Sequence, residues 1–402
     1  MQKRSADLNS LHGALLAFTL LLSIYGTHRF LLFKMVGFEL FPKIVIGLSA
    51  ALLLLGLRYV AKDFFKTNLF SFLCLTGAVF TGYVAGSFFF VIALFFGLLI
   101  HTSPRPSIDF AVAVIASFAI FFSLSAWCLF FLMANYSGDL SFCHFNYDTP
   151  ADSSNLRLLN FLGLCHWESR EYFGFTVFRQ RSFGSEPARM IGYILFPIAL
   201  AAMQSTYPRL KRFCITYFPV AALPSLSVNI LFVILCYVGM RLAPLSRAQY
   251  FFGVFIFIPI LSILLFSYFD HTYLSNLLRH SEFNQNINVF SGSTTRRFEY
   301  FDTSLKSVIE ALPFGGVNNV SGNLPVTLML NYGLFGAAAY VALLVRLKKI
   351  ITLNIDCRNG QLAFMACFFP IMAINASGHF LAPSVIILFL LGGQLVERRS
   401  HV

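Results

Sequence analysis

Four arginines stand out as two close pairs, Arg179 with Arg181 and Arg296 with Arg297. Guanidinium groups hold phosphates through paired hydrogen bonds that stay strong where water is excluded. Each pair flanks an expected helix start, where unbonded backbone N–H groups and the helix dipole already favour an anion. A diphosphate is the guest these groups would take, with Arg179, Arg181, Arg296 and Arg297 as its candidate ligands. The first pair runs through Ser182-Phe183-Gly184 into Ser185-Glu186-Pro187-Ala188-Arg189. Ser at the N-cap, an acidic first turn and Pro near the first helical position are also simply a good helix start. Arg189 follows Glu186 by three residues and is placed to pair with it. Partly desolvated, Glu186 is a candidate general base toward a sugar hydroxyl. The second pair heads Arg296-Arg297-Phe298-Glu299-Tyr300, where Phe298, Phe301, Leu305, Val308, Ile309 and Leu312 fall at helical spacing. Arg297 borders that apolar face and Arg296 points away from it. Arg157, Arg170, Arg279 and Lys306 read as solvated residues of long loops.

The eight cysteines include no CxxC spacing, and six read as small buried hydrophobes or cytoplasmic-loop residues. Cys143 and Cys165 share one loop, and in an oxidising compartment they are a candidate disulfide. Cys143-His144 and Cys165-His166 make a nominal Cys2His2 set, but adjacent ligands are not the spacing of zinc modules, so no metal is expected. His271, His280 and His379 read as interfacial structural histidines; His379, with Tyr300 and Asn323, is also a candidate substrate contact.

The elements that must hold these residues are membrane helices. Of 402 residues, 57% are hydrophobic and 11% charged, against about 25% charged in soluble domains. The apolar residues form long charge-free blocks, and about 20 of them in helical form cross the hydrocarbon core. Segments 108–134 and 249–269 reach that length with Asp109 as the only charge. The blocks do not alternate as barrel strands would. The apolar run from Leu11 to Phe33 lacks a small-residue cleavage pattern and reads as a retained first span.

Spans are expected near 11–33, 40–60, 68–83, 86–101, 108–134, 187–206, 213–223, 226–240, 249–269, 326–345, 361–376 and 380–396. Two stretches, 68–101 and 213–240, could each be one long helix or two short ones. Charge decides, because short cytoplasmic loops carry the Lys and Arg. Twelve spans with a cytoplasmic N-terminus put Arg58/Lys62/Lys66, Arg105, Arg209/Lys211/Arg212, Arg241/Arg247, Arg346/Lys348/Lys349 and Arg398/Arg399 inside, whereas merging both pairs moves Arg209, Lys211 and Arg212 outside. Breaks at Gly82–Gly86 and Pro224–Ser225 agree with two tight re-entries. The net charge of +12 is therefore largely topological, and no basic run interleaved with aromatics points to nucleic acid. The chain reads as one integral membrane domain, all-α, over 1–402, with two long periplasmic loops at 135–186 and 270–325. Span interiors lack the ionisable groups that ion-driven carriers and pumps use, and no hydropathy repeat relates two halves.

At these residues the chain resembles the O-antigen polymerase and ligase superfamily of bacterial envelope glycosyltransferases, closest to the Wzy-type polymerases. The resemblance covers roughly 175–340 and rests on Arg181 with Ser185-Glu186-Pro187, Ser225-Leu226-Ser227, Arg296-Arg297, Pro313-Phe314-Gly315-Gly316, and Asn331-Tyr332-Gly333-Leu334-Phe335-Gly336. It implies a GT-C-like, metal-independent transferase without cofactor, acting on undecaprenyl-diphosphate-linked oligosaccharides at the periplasmic face of the inner membrane. Glu186, Arg181 and Arg297 would be catalytic, and a chain-length regulator is an implied partner. In the ligases a His-Asn pair precedes the Gly-Leu-x-Gly turn by about eleven residues; here those positions read Gly322-Asn323, which favours polymerase over ligase. A ligase that transfers glycan to the lipid A core, and a lipid-linked oligosaccharide flippase, are the alternatives.

Overall fold

A computed structural model describes residues 2–25, 64–81, 87–135, 144–145, 158–161, 165–172, 175–182, 190–203, 206–242, 312–316, 324–351, 358–373 and 390–392. The helices, in chain order, are α1 (Gln2–Tyr25), α2 (Phe64–Thr81), α3 (Ser87–Thr102), α4 (Arg105–Asn135), α5 (Phe196–Met203), α6 (Pro208–Tyr217), α7 (Val228–Leu242), α8 (Leu324–Ile351) and α9 (Arg358–Ala373). By length and composition, two stretches among the described residues could cross a membrane, Arg105–Cys128 and Val326–Ile350.

The stretch 68–101 forms two helices, α2 and α3, packed on one another. Where Asn68 meets Gly97 a β-carbon on the glycine would strike the Asn68 amide, so the glycine permits the approach. α4 begins where the N–H groups of Ser107 and Ile108 reach the Pro104 carbonyl, proline being well suited to the end that lacks donors. Its 31 residues make a rod of about 46 Å at about 1.5 Å per residue. That exceeds a hydrocarbon core of about 30 Å. One side of α4 carries Ala111, Ala116, Ala119 and Ala126, all buried, and packs on α1; such small residues let helix backbones come close. Phe110, Phe118, Phe121, Leu124 and Phe131 are exposed on α4, an apolar surface of a kind that soluble monomers avoid.

Among the described residues, α5 packed against α9 is the most fully buried part. Every residue from Met190 to Met203 is buried, as befits a helix that is apolar all round. Phe196 packs edge-on against Phe364 and Phe368 of α9 at ring centroid distances of 5.4 and 4.8 Å, and Gly360 lies against the Ala202 backbone. Before α5 the helix widens into a π turn over Ile191–Leu195. Pro197 has no N–H to give the Tyr193 carbonyl one turn back. The Tyr25 hydroxyl of α1 donates to that carbonyl instead, at 2.9 Å.

The stretch 213–240 also divides. α6 starts earlier than the expected span, at Pro208, so Arg209, Lys211 and Arg212 are helical rather than a loop before it. It stops at Tyr217, because Pro219 cannot continue the backbone ladder. A run of turns then leads to a 3₁₀ turn at Leu223–Ser225 and into α7. The expected span 213–223 is thus the last part of α6 followed by turns.

Between α4 and α5 lies a four-stranded antiparallel sheet in the order β1-β2-β3-β4, with β1 (His144–Phe145), β2 (Leu158–Phe161), β3 (Cys165–Tyr172) and β4 (Phe175–Ser182). It adds strands to the all-helical expectation, inside the segment read as loop 135–186. The elements around it remain helical.

The expected span 326–345 lies within the apolar stretch Val326–Ile350, but it is not one continuous helix. α8 breaks at Gly333, whose backbone has φ 56° and ψ −134°, a region open essentially to glycine alone. The chain folds back there, and Gly336 comes to lie against the carbonyl of Leu328 in the preceding turns. The continuous helix runs from Leu334 to Ile351, with Lys348 and Lys349 in its last turn.

Candidate functional site

β3 and β4 form a hairpin in which Glu168 is the Cα partner of Arg179. That pairing gives Arg179 a regular place in the ladder. Arg181 differs. The register steps from Trp167↔Gln180 to His166↔Ser182, so Arg181 is the extra residue of a β-bulge with no partner of its own across the ladder. Bulges re-aim a strand locally and recur beside functional sites.

β4 packs on α4 and on the 3₁₀ turn at Leu223–Ser225. The end of α6 and the residues just before that turn hang from α4 by three side-chain bonds. Trp127 Nε1 donates to the Val220 carbonyl at 3.0 Å. Ser123 Oγ bonds the Ala221 carbonyl, and it shares a 2.7 Å hydrogen bond with the Tyr217 hydroxyl. Within the turn Ser225 is fully buried, and its Oγ accepts from the Ser227 N–H at 3.2 Å. Leu226 has φ 46°, a left-handed conformation costly for a branched residue. Ser227 caps the N-terminus of α7, its carbonyl accepting from the N–H groups of Ile230 and Leu231, each at 3.0 Å. One motif arginine strand thus rests on the Ser225-Leu226-Ser227 motif that opens α7.

The other two glycine motifs interlock. The Pro313 carbonyl accepts from Leu334 N–H at 3.0 Å, and Gly316 N–H donates to the Asn331 carbonyl at 3.2 Å. These are the backbone groups that the break at Gly333 takes out of the helix ladder, so the turn 312–316 satisfies them. The fit leaves no room for side chains. Gly315 and Gly316 have φ of 78° and 92°, a β-carbon on Gly315 would strike the Gly333 amide, and one on Gly333 would strike Pro313 O. The corner is braced on α2, where Phe80 stacks on Phe335 at 5.3 Å and Gly77 lies against Tyr332. From α3, Phe90 packs edge-on against Tyr332 at 5.5 Å.

Of the candidate site residues, Arg179 and Arg181 lie on β4 and Cys165 opens β3. Glu186, Arg296, Arg297, Tyr300, Asn323, His379 and Cys143 lie outside the described residues, as does the amphipathic segment from Phe298 to Ile309. β2 stands between the strand that starts at His144 and the strand that starts at Cys165. Sequence reasoning did not single out Ser123 and Trp127 as supports near the turn, and it took Asn331 only as part of a motif, not as a candidate site residue. The signals available were the polar Ser123 and Trp127, four apart in an apolar helix, and the asparagine in the apolar run Leu330-Asn331-Tyr332.

The chain matches no family model, no curated protein and no solved structure.

Proposed function

We propose that this chain is a polysaccharide polymerase of the inner membrane. It joins undecaprenyl-diphosphate-linked oligosaccharide repeats into O-antigen or a similar surface polymer at the periplasmic face. The observation that carries the reading is the bulged position of Arg181 on β4, a strand that packs on the 3₁₀ turn leading into α7. An arginine on a strand that packs beside the turn opening a helix suits an anionic leaving group. The exposed apolar side of α4, its length and its aromatic end at Trp127, Phe130 and Phe131 suit a membrane helix that emerges at an interface.

In this account the twelve spans keep both termini cytoplasmic. The donor's diphosphate lies against Arg179, Arg181, Arg296 and Arg297. A hydroxyl at the non-reducing end of a second lipid-linked repeat attacks the donor's anomeric carbon. The bond from that carbon to the diphosphate oxygen breaks, and undecaprenyl diphosphate leaves with the electron pair while the arginines, Arg181 and Arg297 foremost, stabilise the charge. Glu186 takes the hydroxyl proton. A separate chain-length regulator is the partner such an enzyme calls for. The ligase and flippase alternatives differ in what accumulates. The test is the lipopolysaccharide ladder of a host with and without this gene: loss to a single repeat supports polymerase, and loss of all repeats supports ligase or flippase. Single alanine variants of Arg181, Arg296 and Arg297 that all restore long chains would overturn the site.

A further inference from the structure

We propose that the Gly333 corner is a saccharide-binding subsite, in which the Asn331 amide bonds a sugar hydroxyl and the Phe314 ring covers the sugar's C–H face. The inference rests on the reading that the substrate is a lipid-linked oligosaccharide. Asn331 is only 4% exposed, and its Oδ1 is buried with no hydrogen-bond partner among the described residues. Its neighbours along α8, Leu330 and Tyr332, are buried and make an ordinary apolar helix interior. A leucine at 331 would suit the fold better than an amide oxygen left unbonded, which costs about 1–3 kcal/mol. Native proteins keep few such atoms, and one that persists calls for a reason such as strain, a functional role or a bound group.

The main-chain carbonyl of Asn331 is fixed by Gly316 N–H at 3.2 Å, so the residue is held at the corner rather than free to turn away. The same corner displays two uncovered apolar side chains, Phe314 at 71% and Leu334 at 59% exposure. Both belong to the interlocked backbone of Pro313 and Leu334. The type of unmet group selects the ligand. Oδ1 is an acceptor and needs a donor; the diester phosphates of a sugar-linked diphosphate have only acceptors and would leave it unbonded. A hydroxyl both donates and accepts, so it can complete the amide. The backbone of Asn331 bonds the turn that carries Phe314, and an unbonded amide with an exposed aromatic ring at one corner matches a sugar, whose hydroxyls and C–H face are presented together. The rigid backbone, with three glycines at positive φ, fixes the two groups before the ligand arrives.

The test uses the purified full-length protein in phospholipid nanodiscs. Two probes are titrated: lipid-linked repeats extracted from a host lacking this gene, and undecaprenyl diphosphate alone. Wild type is compared with Asn331→Leu and with Phe314→Leu, whose side chain is outside the core. The expected result for Asn331→Leu is an unliganded melting temperature equal to or above wild type. Its affinity for the lipid-linked repeat falls about tenfold, the scale of one buried hydrogen bond, and its affinity for undecaprenyl diphosphate is unchanged. Phe314→Leu weakens the first probe alone. The proposal is overturned if Asn331→Leu binds the lipid-linked repeat as wild type does, loses both probes equally, or melts several degrees lower without ligand. Wild-type protein that binds neither probe would instead remove the lipid-linked reading itself.

Discussion

Replacing Gly333 with alanine should unlock the corner of α8, and its cost can be worked from the geometry. The backbone at φ 56°, ψ −134° costs a non-glycine residue about 1–3 kcal/mol. The new β-carbon would also strike Pro313 O and the Phe314 carbonyl carbon, so the turn 312–316 cannot stay seated. Its departure removes the hydrogen bonds Leu334 N–H to Pro313 O and Gly316 N–H to Asn331 O, at 3.0 and 3.2 Å. Each leaves a backbone group unbonded at about 1 kcal/mol or more. Together the loss is about 3–6 kcal/mol, and the melting temperature should fall by on the order of 5 °C or more. The assay is thermal unfolding of the purified protein followed by tryptophan fluorescence or size-exclusion recovery. Gly239→Ala in α7 is the control, because nothing lies within 4 Å of its added β-carbon. There alanine should be neutral or stabilise by about 0.5–1 kcal/mol. If Gly333→Ala melts together with Gly239→Ala, the corner is not held as described.

Three further outcomes follow from single contacts. Tyr25→Phe removes the donor to the Tyr193 carbonyl and should cost about 1–3 kcal/mol; in a Pro197→Ala background, where the helix regains its own N–H, a double-mutant cycle of melting temperatures should show under half that loss. Gly97→Ala forces a methyl into the Asn68 amide and should cost about 1–3 kcal/mol, partly recovered by Asn68→Ala in the same unfolding assay. Arg179→Ala, whose position faces Glu168, should shorten the polymer less than Arg181→Ala; equal ladders from the two variants would remove the distinction drawn from the bulge.

Some of this fold was legible in the sequence. The punctuation at Pro224–Ser225 is a break between α6 and α7, and the end of α2 at Thr81 and start of α3 at Ser87 frame the glycines read as a break. Length and apolarity likewise marked α4. The corner at Gly333 was harder to see. Apolar residues continue on both sides of it, so periodicity gave one span, whereas the break depends on a partner turn residues away in sequence, Pro313 to Gly316. Glycines that are needed because another backbone passes close look the same, in a sequence, as glycines that merely fill a helix. The sheet left a signal that span-hunting passed over: β-branched and aromatic residues in Phe175-Thr176-Val177-Phe178, and a Phe173-Gly174 pair between the two paired strands. The bulge at Arg181 was not readable at all, since it exists only in the register of β4 against β3. The π turn before α5 was half visible. Pro197 showed that a carbonyl would lose its donor, but nothing local named Tyr25, 168 residues away, as the replacement.

The central claim is that this chain itself joins lipid-linked repeats. The direct measurement reconstitutes the purified protein alone in vesicles containing undecaprenyl-diphosphate-linked repeats and follows product length on a gel. The account predicts a ladder of lipid-linked oligomers that is lost with Arg181→Ala. Repeats that remain single, with folded wild-type protein present and no other enzyme added, would contradict it.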